Sequence, residues 1–364
     1  MEIKNRLFPY LQNLETNIES ILSKNDLQTE ISNSDINKLR EVLSRKYSQA
    51  NPENVVKSQI TDEFIEQKGI KYLIKYLKID KTKNKPILIN KKKFTDPFEP
   101  PINEDVLITD NFLKLNEHRL IFTKFPLFNE QVLLVSRDFK SQYEHLSFEN
   151  IRDSILLMNI INGCAFFNGG EKSGASQPRK HLQAFPYKSL PNCDNNFGIF
   201  NYINNSDNLT EITFVNNLNN INNNIGKFYQ FKIFNEKNIE HIIFKFSQKM
   251  IELIKDNQKG NITGEICMKL YEIMAEYLDL FNYDNEGKKL DKIFKDFSFI
   301  ITQEFMFLVK RKEHDIFISE KDKEKNDFIN LNTLAFFFII VSRSQDQIEE
   351  LKNSDIIKDV FTKL

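Results

Sequence analysis

The sequence predicts an α+β protein whose mostly antiparallel sheet is flanked by helices. β-Rich runs come in neighbouring pairs joined by short turns, 118–125 with 131–139 and 297–302 with 305–309, and such pairs fold as antiparallel hairpins. Apolar residues at helical spacing fill stretches before, between and after those pairs. A chain of 364 residues can bury a sizeable core, as one unit or as two lobes.

Taken in order, the chain opens with helical text. Leu7, Leu11, Leu14, Ile18 and Ile21 recur at helical spacing, and Leu39, Val42, Leu43 and Tyr47 repeat the pattern behind Ser34-Asp35, an expected N-cap. Lys71 to Lys78 alternates as a strand, and a basic turn then reaches Lys85-Pro86. Asp96-Pro97-Phe98-Glu99-Pro100-Pro101 reads as a stiff extended connector, because its prolines fix φ. The first hairpin follows. Ser147 is placed to cap a helix that buries Ile151, Ile155, Leu156 and Ile160, and the chain turns at Asn162-Gly163 into the apolar strand 164–168.

From Asn192 to Asn224 the text is Asn-rich and weakly periodic, which predicts an expanded surface loop. Residues 226–234 resume as a strand. Two helices are then expected, one lined by Ile239, Ile242, Ile243, Phe246, Met250 and Ile254, the other by Ile266, Leu270, Ile273, Met274, Tyr277 and Phe281. After the second hairpin, Lys310-Arg311 opens a charged loop, and a last helix is expected to carry Ile339 and Arg343. The organisation expected is an N-terminal helical segment (1–60), a half (61–235) that holds the Asn-rich insert, and a C-terminal half (236–364).

Charge and composition exclude some functions. Fifty basic and 51 acidic side chains leave a net charge of −1, so no global field draws nucleic acid or an anionic membrane, and any phosphate site must be built locally. Cys164, Cys193 and Cys267 show no paired metal spacing, and five scattered histidines do not favour zinc; the expectation is a reducing compartment and no structural metal. No basic apolar leader opens the text and no apolar run approaches a membrane span, so a cytoplasmic protein is expected.

One stretch carries chemistry. Ser173-Gly174-Ala175-Ser176-Gln177-Pro178 is a small-residue loop whose amides can gather round an anion, and it leads into a short strand that projects Arg179, His181 and Gln183 from one face. A polar hairpin turn with an ordinary surface histidine fits the same spacing. The loop is not a Walker loop, since no Gly-Lys-Ser/Thr follows.

From Asn168 to Gln183 the text resembles the signature of the ATP adenylyltransferases, also called diadenosine tetraphosphate phosphorylases, which are relatives of the histidine-triad hydrolases and of galactose-1-phosphate uridylyltransferase. That signature reads Asn-Ser-Gly, a variable pair, Ser-Gly-Ala/Ser-Ser, two variable residues, then His-Lys-His-Leu-Gln. Here the first histidine of the last run is Arg179. The resemblance extends more loosely from about Lys71 to the C-terminus and implies a histidine-triad-like fold. Lys85 stands at the family's substrate-contacting Lys-Pro, residues 97–101 resemble its Pro-Phe-x-Pro-Pro, and Thr123-Lys124-Phe125-Pro126 stands where the family has Asn-Lys-Phe-Pro. Phe305 replaces a tryptophan. The segment 328–336 resembles Ile-x-x-Asn-Ser/Ala-x-Gly-Phe.

By that resemblance His181 and Gln183 are catalytic, and Lys85, Thr123, Lys124, Asn168, Gly174, Ala175, Ser176, Gln177, Asn332, Thr333, Ile339 and Arg343 bind the nucleotide. Read without it, Lys85 belongs to a solvated lysine run, Asn332 is an N-cap and Arg343 a solvated helical charge. The implied substrates are diadenosine tetraphosphate, ATP, ADP and phosphate; a divalent cation such as magnesium and the oligomeric state stay open.

The implied reaction is double displacement. A neutral imidazole attacks phosphorus without an external base while its other ring nitrogen holds an acceptor, and the leaving polyphosphate needs no strong acid. A glutamine two residues beyond the nucleophile is linked by the resemblance with transfer of the adenylyl group to phosphate. A lapsed nucleotide sensor and a dinucleotide hydrolase remain the alternatives.

Overall fold

A computed structural model describes residues 18, 20–21, 31–50, 60–77, 96–191, 198–212, 224–293, 295–318 and 328–364. The expectations placed on Leu7 to Leu14, Lys85 and Cys193 lie outside these residues.

Helix α1 (Asn33–Gln49) is capped by Ser32, whose hydroxyl accepts the Asp35 N–H; the cap sits two residues earlier than expected. Strands β1 (Ile60–Gln67) and β2 (Ile70–Leu77) form a tight hairpin. Next come β3 (Leu107–Thr109), β4 (His118–Phe122) and β5 (Val132–Ser136), the last two making the first expected hairpin. Helix α2 (Phe148–Ile161) starts at Ser147 with a reciprocal capping box to Asn150. It leads into β6 (Gly163–Gly169) and β7 (His181–Pro186).

The Asn-rich stretch is more structured than its composition suggests. Helix α3 (Ile199–Asn204) buries Ile199, Phe200, Tyr202 and Ile203, and β8 (Leu209–Glu211) pairs with β9 (Gly226–Phe231). Four large apolar side chains within five residues outweigh the polar text around them. The β9 run ends in the short helix α4 (Lys232–Asn235), which takes up Ile233 and Phe234.

The helix expected over 239–254 divides. Residues His241–Phe246 form strand β10, and only Gln248–Lys255 is helical, as α5. β10 pairs with β9 and β12 and packs Ile242 and Phe244 into one core and Ile243 into the other, so it is buried on both faces and its apolar residues do not alternate with polar ones. Helix α6 (Gly260–Tyr277) is as expected, as are β11 (Phe297–Ile301) and β12 (Phe305–Lys310). After the two-residue strands β13 (Asp315–Ile316) and β14 (Ile329–Asn330), residues Ile339–Ser342 form strand β15, not a helix, and helix α7 (Gln345–Asn353) begins beyond Arg343. β15 lies parallel to β2 in a three-stranded sheet.

Among the described residues ten strands make the main sheet, in the order β3-β4-β5-β7-β6-β11-β12-β10-β9-β8, with every pair antiparallel. The boundary expected near residue 235 falls inside this sheet. One face carries Leu120, Leu134, Leu182, Phe167, Phe299 and Leu308 into a core closed by α2 and α6. The opposite face has two separate covers. Over the C-terminal strands, Phe166, Ile300 and Phe307 pack under Tyr72 and Phe336 to Phe338, while Phe98 covers Ile121, Leu133 and Val135 on β4 and β5. No helix among the described residues is long and apolar enough to cross a membrane.

Candidate active site

His181 and Gln183 lie on the face with two covers, in register with Val135 and Leu133 of β5. Alternation along β7 puts both side chains on one side, as expected. His181 is 5% exposed, with the Phe98 ring 5.2 Å from its own. Its Nδ1 lies 2.9 Å from the carbonyl oxygen of Arg179, a bond in which the ring must be the donor, so Nε2 carries the free lone pair. Burial holds the imidazole below its ordinary pKa, with the Arg179 carbonyl and Asp96 acting in the opposite sense, so the ring is neutral at pH 7.

The other histidines set this one apart. His241 has the same lock, Nδ1 to the Ile239 carbonyl at 2.7 Å, but its Nε2 is consumed by the Phe231 N–H at 2.7 Å. His118 is held between Asp153 and Asn150. His145 gives Nδ1 to Tyr271, and its Nε2 is buried with no partner. In His314, Nε2 faces Asp315 at 3.4 Å and Nδ1 is buried. Of the five, His181 alone joins a fixed tautomer to an Nε2 that is neither bonded nor sealed off among the described residues.

Its frame comes from Gln142, which sequence reasoning missed. The Gln142 Oε1 accepts the His181 N–H at 2.8 Å, while its Nε2 donates to the Asn168 carbonyl at 2.9 Å and to that of His181 at 3.4 Å. Asn168 in turn accepts the Thr333 N–H through Oδ1 at 3.1 Å, and the Thr333 hydroxyl donates to the Phe167 carbonyl at 3.1 Å. Asn332 caps the short turn that follows, accepting the Leu334 N–H at 2.9 Å. Gly174, at φ +89°, sits where a Cβ would meet the Asn332 Cβ at 2.7 Å, so the loop closes directly onto this turn. His181, Gln183, Asn168, Gly174, Asn332 and Thr333 are thus brought into one neighbourhood from three parts of the chain.

The loop offers fewer amides than expected. Gly174 donates to the Glu171 carbonyl and Ala175 to that of Gly170, leaving the amides of Ser176 and Gln177 without a partner among the described residues.

Two family models match the chain: the Ap4A phosphorylase N-terminal domain over residues 29–204 and the ATP adenylyltransferase C-terminal domain over residues 238–364. The chain belongs to this ATP adenylyltransferase and Ap4A phosphorylase family. It is 31% identical over 128 residues to diadenosine 5',5'''-P1,P4-tetraphosphate phosphorylase 2 of Saccharomyces cerevisiae, a match that spans 32% of this chain and 38% of that relative. Its fold is similar to that of yeast Ap4A phosphorylase Apa2 in complex with Ap4A, with a TM-score of 0.61 at 16% identity over 88% of this chain and 95% of that one. The Apa2 complex with AMP gives a TM-score of 0.54 at 17% identity, over 88% and 93%.

Within this adenylyltransferase family the departure at Arg179 has a physical account. The side chain is 5% exposed, and its Nε donates to Asp96 at 2.6 Å while Nη1 donates to the carbonyls of Arg137 at 3.0 Å and Ser136 at 3.4 Å. The other oxygen of the Asp96 carboxylate accepts the Phe98 N–H at 2.9 Å, and Arg119 donates to the Phe98 carbonyl at 3.0 Å. Arg179 therefore latches the segment that lays Phe98 against His181, and its side chain is committed there. Its backbone carbonyl, which any residue supplies, orients the His181 ring.

The remaining expected contacts are spread out. Lys124 is exposed in the β4–β5 turn, near the Phe125 ring and with no carboxylate partner among the described residues. Thr123 is half-buried in the same turn and tied by its N–H to the Gln131 carbonyl. Ile339 is 1% exposed in β15, paired with Leu73, and Thr333 is fully buried; both side chains carry packing. Arg343 is exposed just beyond Ser342, at the end of the small sheet. Phe98, Asp96 and Gln131 complete the set that sequence reasoning did not assign. Phe98 had a signal in the Pro-Phe-x-Pro-Pro text, whereas the glutamines had none.

Proposed function

We propose that this chain interconverts diadenosine tetraphosphate plus phosphate with ATP plus ADP through an adenylyl group held on His181. In the first step Nε2 of His181 attacks an adenosine-linked phosphorus, the bond to the bridging oxygen breaks, and ATP leaves. In the second step an oxygen of inorganic phosphate attacks the same phosphorus, the P–N bond breaks, and ADP leaves. The proton on Nδ1 stays with the Arg179 carbonyl throughout. Gln183 donates to a non-bridging oxygen. The Ser176 and Gln177 amides, with Lys124, Arg343 and Lys85, neutralise the polyphosphate, and Asn168, Thr123, Asn332, Gly174 and Ala175 shape the site around it.

The observation that carries this reading is the open Nε2 of His181 on a ring whose tautomer is fixed, joined to family membership. The test is chemical. Mixed with diadenosine tetraphosphate in phosphate-free buffer, the protein should gain the mass of AMP, read by intact-protein mass at neutral or mildly basic pH because a phosphoramidate is acid-labile. Peptide mapping should place it on His181, and His181→Ala should gain nothing. Discharge by phosphate supports the transferase; equal discharge in plain water makes the chain a hydrolase. Nucleotide binding with no adduct in rapid quench overturns covalent catalysis in favour of a sensor.

A further inference from the structure

A glutamine side chain has an acceptor at one end of its amide and donors at the other, and half a turn of the amide exchanges them. Which end of Gln183 faces the substrate decides whether it attracts or repels a phosphate oxygen, since that oxygen only accepts. Gln131, 3% exposed at the foot of β5, bears directly on this. Its Oε1 accepts the backbone N–H of Leu127 at 2.8 Å, and a backbone N–H can only donate. The oxygen of Gln131 must lie at that end and its NH2 at the other, where it donates to Oε1 of Gln183 at 3.0 Å. With Gln183 reversed, two NH2 groups would face each other beside the buried side chain of Gln131. The turn that carries Leu127 is itself held, by Gln131 N–H to the Phe128 carbonyl and Thr123 N–H to the Gln131 carbonyl.

We propose that Gln131 is a positioning residue for the adenylyl transfer. It pins the oxygen of Gln183 and thereby turns the Gln183 NH2 toward the attacked phosphate. From Leu127 N–H through Gln131 to Gln183, each donor points the same way, and the last donor is delivered to the substrate. Nε2 of Gln183 makes no hydrogen bond among the described residues, which leaves it available. The proposal rests on the reading of His181 and Gln183 as the catalytic pair.

The test compares Q131E and Q131M with wild type in the full chain, reading single-turnover formation of the AMP adduct from diadenosine tetraphosphate. The carboxylate in Q131E still accepts from Leu127 but can only accept from Gln183, so it reverses the Gln183 amide. Losing the donor and placing an oxygen against the phosphate should slow adduct formation about 100-fold or more. Q131M leaves Gln183 free to take either orientation and should cost only a few-fold, on the order of a factor of 3. As pH is lowered toward 5, a protonated carboxyl in Q131E can donate again, and the gap to wild type should narrow. Q131M slower than Q131E, or a Q131E gap that does not change with pH, overturns the proposal. Should Q131E fail to fold, a Q131M rate equal to wild type overturns it too.

If wild type forms no adduct at all, the catalytic reading fails separately. Calorimetric AMP affinity then decides the orientation: weakening by about tenfold in Q131E and less in Q131M supports it, and equal affinities refute it.

Discussion

Replacing Arg179 with the histidine usual in the family should weaken this protein, not restore it. The guanidinium makes an ion pair of 2.6 Å with Asp96 and two bonds to backbone carbonyls, and the side chains of the pair are 6% and 11% exposed. Removing one partner of a buried pair typically costs about 3–5 kcal/mol, and the residual exposure of Asp96 puts the expected loss near the lower end, about 3 kcal/mol. Urea unfolding of wild type, Arg179→His, Asp96→Ala and the double variant measures this. The double variant should be less destabilised than the sum of the singles by at least about 1 kcal/mol, because the pair is counted once. Adduct formation on His181 should also slow in Arg179→His, since the Asp96–Phe98 segment loses the guanidinium that latches Phe98 against the imidazole. An Arg179→His protein that is as stable as wild type and turns over faster would refute the latch and make the arginine a degenerate substitution.

Two pH dependences follow from the buried histidines. Because burial lowers the pKa of His181, its neutral form persists where a free imidazole would be half protonated, so the adduct rate should fall by less than half from pH 7.5 to 6.5; a rate halved at pH 6.5 contradicts this. Stability should move the other way. Burial pushes His145 down to about 3 and His241 down to about 4, both below the unfolded value, so below pH ~6.5 the unfolded chain takes up protons that the folded one refuses. The slope rises toward about 1.4 kcal/mol per unit for each ring as pH falls below 6.5, so unfolding free energy should fall by on the order of 3 kcal/mol between pH 6.5 and 5, and a rise over that interval in urea titrations would refute it.

The sheet and the strand that carries His181 were legible in the text because both leave local marks. Paired β-rich runs gave β4 with β5 and β11 with β12, and the small-residue loop ahead of His181 gave the centre of the site. β10 was lost to periodicity, since Ile239, Ile242, Ile243 and Phe246 satisfy a helical spacing as well as a strand buried on both faces. β15 was lost to a family pattern extended past its last matching residue. Within the Asn-rich stretch, overall composition hid the apolar cluster Ile199 to Ile203. The supports of the site had no local mark at all. Gln142, Gln131 and Asp96 reach His181, Gln183 and Arg179 across 39, 52 and 83 residues, through side-chain hydrogen bonds that impose no period on the sequence.

The pairing of β6 with β11 also sets a timetable for synthesis. β6 ends at Gly169 and the strand that covers its outer edge ends at Ile301, so about 130 residues must be made before that edge can be closed. At about 5–20 residues per second, this leaves an apolar strand carrying Phe166 and Phe167, with its hydrogen-bonding groups unpaired, for roughly 7–26 seconds on each ribosome. An edge of that kind is a template for pairing with another nascent chain. Neighbouring ribosomes on one message hold such edges at the same stage, so the yield of this protein in a cell should depend on chaperones that shield the first half until the second arrives.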